Sequence, residues 1–177
     1  KIIAFTQEKS FVLRKEIQGV PVVPFEELDE HFNEEFEIII GIGYTQMNQL
    51  KKKIYNMCKE KKYKVGTYIS SNAIVYSTEF GEGCFIAPGV VIGPDCRMGV
   101  CNYIESSAVL SHDNSLGDFN FISTNAVFGG NARIENNCFF GLHSTVKDGI
   151  AIASNNLFGS CANVIKSISY TGGVFVG

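Results

Sequence analysis

From Ile74 to Val164 an aliphatic or aromatic residue returns at every sixth position: Ile74, Phe80, Ile86, Ile92, Met98, Ile104, Leu110, Leu116, Ile122, Phe128, Ile134, Phe140, Val146, Ile152, Phe158 and Val164. An amphipathic helix repeats near 3.6 residues and a half-buried strand near 2, so neither produces this period. Glycine often follows the anchor, as at positions 81, 93, 99, 117, 129, 141 and 159. Four positions after most anchors stands a small residue: Thr78, Cys84, Val90, Cys96, Ala108, Ala126, Ala132, Cys138, Ser144 or Ala162. A short unit that cannot bury its apolar face alone is stable only when copies stack, so the pattern calls for a solenoid.

The pattern resembles the hexapeptide-repeat left-handed parallel β-helix, in which three hexads make one triangular coil of 18 residues. The left-handed sense comes from that resemblance, because the general rule for parallel crossovers favours the right hand. The small residues then fill inward corners, where Cys84, Cys96 and Cys138 are packed apolar atoms rather than redox groups. Folded at 18, the residues before the anchors separate into three outward columns. One is aromatic (Phe85, Tyr103, Phe121, Phe139, Leu157), one valine-rich (Val91, Val109, Val127, Thr145, Asn163) and one polar (Glu79, Arg97, Ser115, Arg133, Ala151). The aromatic column is too apolar for water. It is covered either by other copies, since proteins of this repeat are typically trimers, or by the chain's own N-terminal part. The polar column is the expected solvent face, and Asn102, Asn120 and Asn156 form an expected structural ladder at one inward corner.

The N-terminal part has no such period. Lys1–Phe5 is strand-like, and "GVPVVPFEEL" (Gly19–Leu28) reads as a turn, a short strand and a helix start. Then come a buried strand at Glu37–Ile40, a Gly41-Ile-Gly43 turn and a helix to about Lys62, with Met47, Leu50, Ile54 and Met57 inward and its lysines outward. Strand–helix alternation suggests a small, apparently incomplete Rossmann-like α/β domain over 1–68, followed by the β-helix over 69–177. Gly41 and Gly43, opening a helix, can offer backbone N–H groups to a phosphate. Position 46 is Gln, so the third glycine of the dinucleotide fingerprint is missing, and tight strand–helix turning explains the pair equally well. The formal charge of −3 gives no electrostatic case for nucleic acid or an anionic membrane. No apolar run reaches the ~18 residues needed to cross a bilayer. The six cysteines show no CxxC and no zinc-ligand spacing, and the placing of three of them at inward corners of the repeat favours a reduced, cytoplasmic setting.

The repeat carries one chemically distinctive pair, His112 beside Asp113 in "VLSHDNSLGDFNFIS". His112 falls two residues after anchor Leu110, on a corner. Its neighbours one coil away are Pro94 and Gly130, at about 4.8 Å per coil. Gly130 leaves room beside the imidazole, and Asp113 stacks between Asp95 and Asn131. An adjacent carboxylate supports an imidazole acting as a base. The residues alone leave two readings open: a general base with its orienting acid, or two polar groups satisfying a turn.

A small α/β unit followed by this β-helix resembles the sialic acid O-acetyltransferase type of enzyme, which includes bacillosamine and perosamine N-acetyltransferases and related nucleotide-sugar acyltransferases. The likeness runs through "GVPVVPFEEL", "IIIGIGYTQMN", "SHDNSLGDFNFIS", "VFGGNARI", "CFFGLHSTV" and "GGVFVG". It implies a cytoplasmic, homotrimeric, acetyl-CoA-dependent acetyltransferase of bacterial surface-glycan synthesis, with His112 as general base and Asp113 as its partner. Acetyl-CoA then lies along the β-helix, between subunits, near Gly130, Gly141, Leu142, Gly159 and Ser160. The small domain grips the nucleotide-sugar, with Gly41 and Gly43 as contacts, and no metal is required. Two departures stand out. Some members have a second histidine where this chain has Phe121, and His143 stands where relatives often have Asn, as a turn residue or a ligand contact. An amine and a hydroxyl acceptor fit the same base, so sialic acid or another sugar O-acetylation is the alternative. A zinc carbonic anhydrase type of site needs three converging histidines, whereas the repeat carries only His112 and His143. A non-catalytic β-helical scaffold or binding module is the remaining reading.

Overall fold

A computed structural model describes residues 1–77 and 79–177; Thr78, expected at an inward corner, lies outside the described residues. The chain divides into two compact units, Lys1–Phe36 and Glu37–Gly177. The second unit opens at Glu37, ahead of the coils.

In the first unit, β1 (Phe5–Gln7), β2 (Glu16–Ile17) and β3 (Val20–Pro24) form a sheet in the order β1-β3-β2. β1 runs parallel to β3 and β2 antiparallel to it. Gln18 and Gly19 turn β2 into β3 with φ of 49° and 75°, as a tight hairpin requires. β3 and α1 (Leu28–His31) form where "GVPVVPFEEL" places them, burying Val23, Phe25 and Leu28. The first strand begins at Phe5 rather than covering Lys1–Phe5.

The second unit opens with β4 (Glu37–Ile38) and β5 (Lys64–Val65), parallel to each other and joined through α2 (Gln49–Glu60). α2 does not start at the glycine turn. Gln46, Met47 and Asn48 take left-handed φ of 53°, 51° and 64°, and only then does the helix begin. Met47 therefore precedes the helix, and the N–H groups of Gly41 and Gly43 are not those of its first turn. The lysine run also corrects the expectation: Lys52 and Lys53 are exposed, but Lys51 is buried together with Cys58.

The remainder is a parallel β-helix. Among the described residues its two-residue strands stack into three parallel sheets of seven, six and five strands. The aromatic face carries Phe85, Tyr103, Phe121, Phe139 and Leu157 in register. The valine face carries Val91, Val109, Val127, Thr145 and Asn163, and the polar face Glu79, Arg97, Ser115, Arg133 and Ala151. The anchors from Ile86 to Val164 are buried and form one core with Cys96, Cys138 and the corner alanines. Ile74 is the exception, at 53% exposed. It pairs with outward Val91 while Val75 pairs with inward Ile92, so the first coil is one residue short.

Between faces the chain turns through a left-handed residue three positions after most anchors. Asp95, Cys101, Ser107, Asp113, Phe119, Asn125, Asn131, Asn137, His143, Asn155 and Cys161 all have φ between 53° and 61°. Asn and Asp accept this conformation most readily among non-glycine residues, which is why they recur there. Buried asparagines then lock coil to coil. Asn102 Nδ2 donates to the carbonyls of Gly99 and Gly117, Asn120 donates to Asn102 Oδ1, and Cys138 N–H donates to Asn120 Oδ1. Among the described residues no helix is long and apolar enough to cross a membrane.

Candidate active site

The three faces meet at three vertices, and His112 and Asp113 occupy the one between the valine and polar faces. The backbone there is held from both sides: Asp113 N–H donates to Pro94 O at 3.0 Å and Asn131 N–H to His112 O at 2.9 Å. Asp113 has φ 59°, and its Oδ2 lies 2.7 Å from His112 Nδ1. A carboxylate accepts only, so Nδ1 is the donor, and in the neutral ring the lone pair lies on Nε2. Both side chains are exposed. A Cβ added at Gly130 would stand 2.5 Å from His112 Cε1 and 2.6 Å from Nε2. The imidazole therefore occupies the place where any other residue would carry its side chain.

Asn114 was not singled out by the sequence argument, yet it braces this turn. Fully buried, it donates from Nδ2 to Ser111 O at 2.8 Å and accepts Ala132 N–H at 2.9 Å. Its signal was its place four residues after an anchor, the position that Asn102, Asn120 and Asn156 share.

The other expected site residues lie elsewhere. Leu142, His143 and Ser160, with Gly141 and Gly159 beside them, mark the vertex between the aromatic and valine faces. There Cys161 N–H donates to Leu142 O, and a Cβ on Gly141 would meet Ser160 N at 2.5 Å. Only Gly130, of the five residues expected at the cofactor, adjoins His112. His143 and His112 stand on different vertices, and among the described residues no group of three or more His, Cys, Asp and Glu side chains converges. Gly43 borders Phe121 on the aromatic face, which is opposite the His112 vertex. Phe121 is 5% exposed, stacked between Tyr103 and Phe139 at centroid distances of 5.1 and 5.6 Å.

Part of the aromatic face is thus covered by the chain itself. Tyr44 packs on Phe121 and Phe139, and Tyr55 of α2 on Phe119. Lys51 Nζ lies 4.9 Å from the Tyr103 ring centroid and 5.4 Å from that of Phe121. Lys51 is 1% exposed and its ammonium has no hydrogen-bond partner. Burial pushes its pKa down to about 8, opposed by the nearby Cys101, Cys84 and Glu105. Burial likewise raises the thiols of Cys84 and Cys138 to about 11 and that of Cys101 to about 12, which leaves them poor nucleophiles at neutral pH.

The residues of the polar column are exposed, as expected of a solvent face. An open groove of about 1020 Å³ runs along it from Asp95 and Asp113 past Arg97, Ser115 and Arg133 to Ser169.

A stack of hexads with an imidazole–carboxylate pair on one vertex places the molecule among the hexapeptide-repeat β-helix proteins. The chain belongs to the family described as the GMPPB C-terminal domain, whose model matches residues 68–171. Its fold is also that of the acetyltransferase domain of PglB from Neisseria gonorrhoeae. The match has a TM-score of 0.85 at 21% identity and covers 98% of this chain and 83% of that one. The same domain has been solved in complex with acetyl coenzyme A. PerB from Caulobacter crescentus, solved with CoA and GDP-perosamine, gives a TM-score of 0.82 at 24% identity over 92% of this chain and 78% of that one. WeeI from Acinetobacter baumannii gives 0.67 at 16% identity, covering 98% and 82%.

Proposed function

We propose that the protein is an acetyl-CoA-dependent acetyltransferase acting on a nucleotide-linked amino sugar, with His112 as general base. The observation that carries this is the Nε2 of an imidazole oriented by Asp113 and set against Gly130. PglB's acetyltransferase domain with acetyl coenzyme A, and PerB with CoA and GDP-perosamine, share the fold and point to the same ligand classes.

In the proposed reaction the acceptor amine attacks the thioester carbonyl while Nε2 takes its proton. Asp113 stabilises the imidazolium through Nδ1. The C–S bond then breaks, and the imidazolium returns the proton to the leaving thiolate. Gly130, with Gly141, Leu142, Gly159 and Ser160, is the proposed path of acetyl-CoA; no metal enters this scheme. In one chain this path spans two vertices, and Gly43 borders the face opposite His112. If these residues serve one reaction, they come from different copies, as a homotrimer provides. The cytoplasm supplies acetyl-CoA and keeps the buried thiols reduced.

The test is detection of acetylated product by mass spectrometry. Acetyl-CoA is offered with UDP- and dTDP-4-amino-4,6-dideoxy sugars and, in parallel, free and CMP-linked sialic acid. Acetylation of an amino sugar, abolished in His112→Ala, is the expected result. O-acetylation of sialic acid selects the alternative acceptor, while absence of product together with absence of acetyl-CoA binding leaves a scaffold.

A further inference from the structure

Arg133 stands in the middle of the polar face, and among the described residues it has no counter-ion. Its neighbours in the sheet are Ser115 and Ala151, whose side chains are too short to shield a guanidinium. Two coils away in the same column, Arg97 has its Nε 2.8 Å from Glu79. Both arginines line the 1020 Å³ groove, whose edge is formed by Asp113 and Asp95. Glu135, the acid closest in sequence to Arg133, is engaged by the N–H and hydroxyl of Ser154 at 3.0 and 2.9 Å. The groove therefore has acids at both ends, Asp95 and Asp113 at the His112 vertex and Glu135 at the other, with guanidinium charge in its middle. Arg133 lies two residues along the chain from Asn131, the coil neighbour of Asp113, so at most about 7 Å of backbone separates them.

A planar fork of donors with no carboxylate to hold, in an open groove beside a candidate base, matches a phosphate in charge and geometry. We infer that the groove is a phosphate subsite in which Arg133, assisted by Arg97, holds a phosphate ester of a ligand whose reacting end lies at His112. The inference rests on the acetyltransfer reading in one respect: that reading supplies two phosphate-bearing ligands, a nucleotide-linked acceptor and acetyl-CoA. The shared chemistry is the phosphate, and the experiment separates its sources.

Wild-type protein, Arg133→Ala and Arg133→Gln are titrated calorimetrically with UDP, dTDP, GDP and CoA at two salt concentrations. Thermal melting establishes that the variants are folded, as expected for a change on an exposed face. Affinity for the phosphate probe that occupies the groove should fall roughly 10- to 100-fold, and its salt dependence should flatten. A loss confined to a nucleoside diphosphate assigns the subsite to the acceptor, and one confined to CoA assigns it to the donor. Wild-type affinity of both variants for every probe that the wild type binds overturns the subsite and leaves the acetyltransfer reading standing. If the wild type binds none of the four, both fall.

Discussion

Replacing Lys51 by Met should make the protein more stable at neutral pH. Lys51 is 1% exposed with an unpartnered ammonium, and its pKa is lowered from 10.5 to about 8. Between those two values the unfolded chain binds the proton that the folded protein has released, so stability rises with pH across that window. Below it, the folded state carries a buried charge that costs about 3 kcal/mol. Methionine has similar length and no charge, but it forgoes the cation–π contacts with Tyr103 and Phe121, worth about 1 kcal/mol. The net expectation is a gain of roughly 2 kcal/mol at pH 7. Urea denaturation of both proteins at pH 7, 9 and 10.5 measures it. The variant's advantage should shrink by about 1 kcal/mol at pH 9 and by nearly the whole charge term at pH 10.5. Comparing the pair is essential, because the thiols raised to about 11 or 12 at Cys84, Cys101 and Cys138 destabilise both proteins above pH 9. A variant less stable than wild type at pH 7, or an advantage that ignores pH, would refute the reasoning.

Gly130→Ala places a methyl 2.5 Å from His112 Cε1, which displaces the ring by about 1 Å toward ordinary contact. Under the proposed chemistry kcat should fall roughly 100-fold while stability changes little; an unaltered kcat would disconnect the imidazole's position from function. Asn120→Ala removes the acceptor of Cys138 N–H and the donor to Asn102 Oδ1, all fully buried. A loss of roughly 2 kcal/mol is expected in the same urea assay, and an unchanged midpoint would show that the ladder contributes nothing.

Much of the coil architecture was legible because its period exceeds any local conformational preference. Once anchors recur at six and columns at 18, the inward cysteines, the asparagine ladder and the closeness of His112 to Gly130 follow by counting. Counting fails where the count changes. The one-residue shortening of the first coil turns Ile74 outward and Val75 inward, and nothing in "AIVYS" distinguishes two adjacent β-branched residues. Lys51 was misread for another reason. Helical periodicity ranks residues by polarity, but the aromatic face supplies an apolar surface and a π-system that accept a lysine stem and its charge. The polar column is exposed as its composition suggests, but the sequence does not reveal the open groove that runs past Arg97 and Arg133.

The His112–Asp113 pair lies in consecutive residues of one turn, after the third of the six strands on the valine face. In a stack where each coil contacts only its neighbours, fraying starts at the ends and moves inward coil by coil. The candidate base is thus among the last features to be lost on heating. It needs only its two neighbouring coils to be assembled, since the φ of Asp113, the backbone bonds to Pro94 and Asn131 and the bare backbone at Gly130 set its geometry. The terminal coils act as sacrificial layers for the turn they enclose.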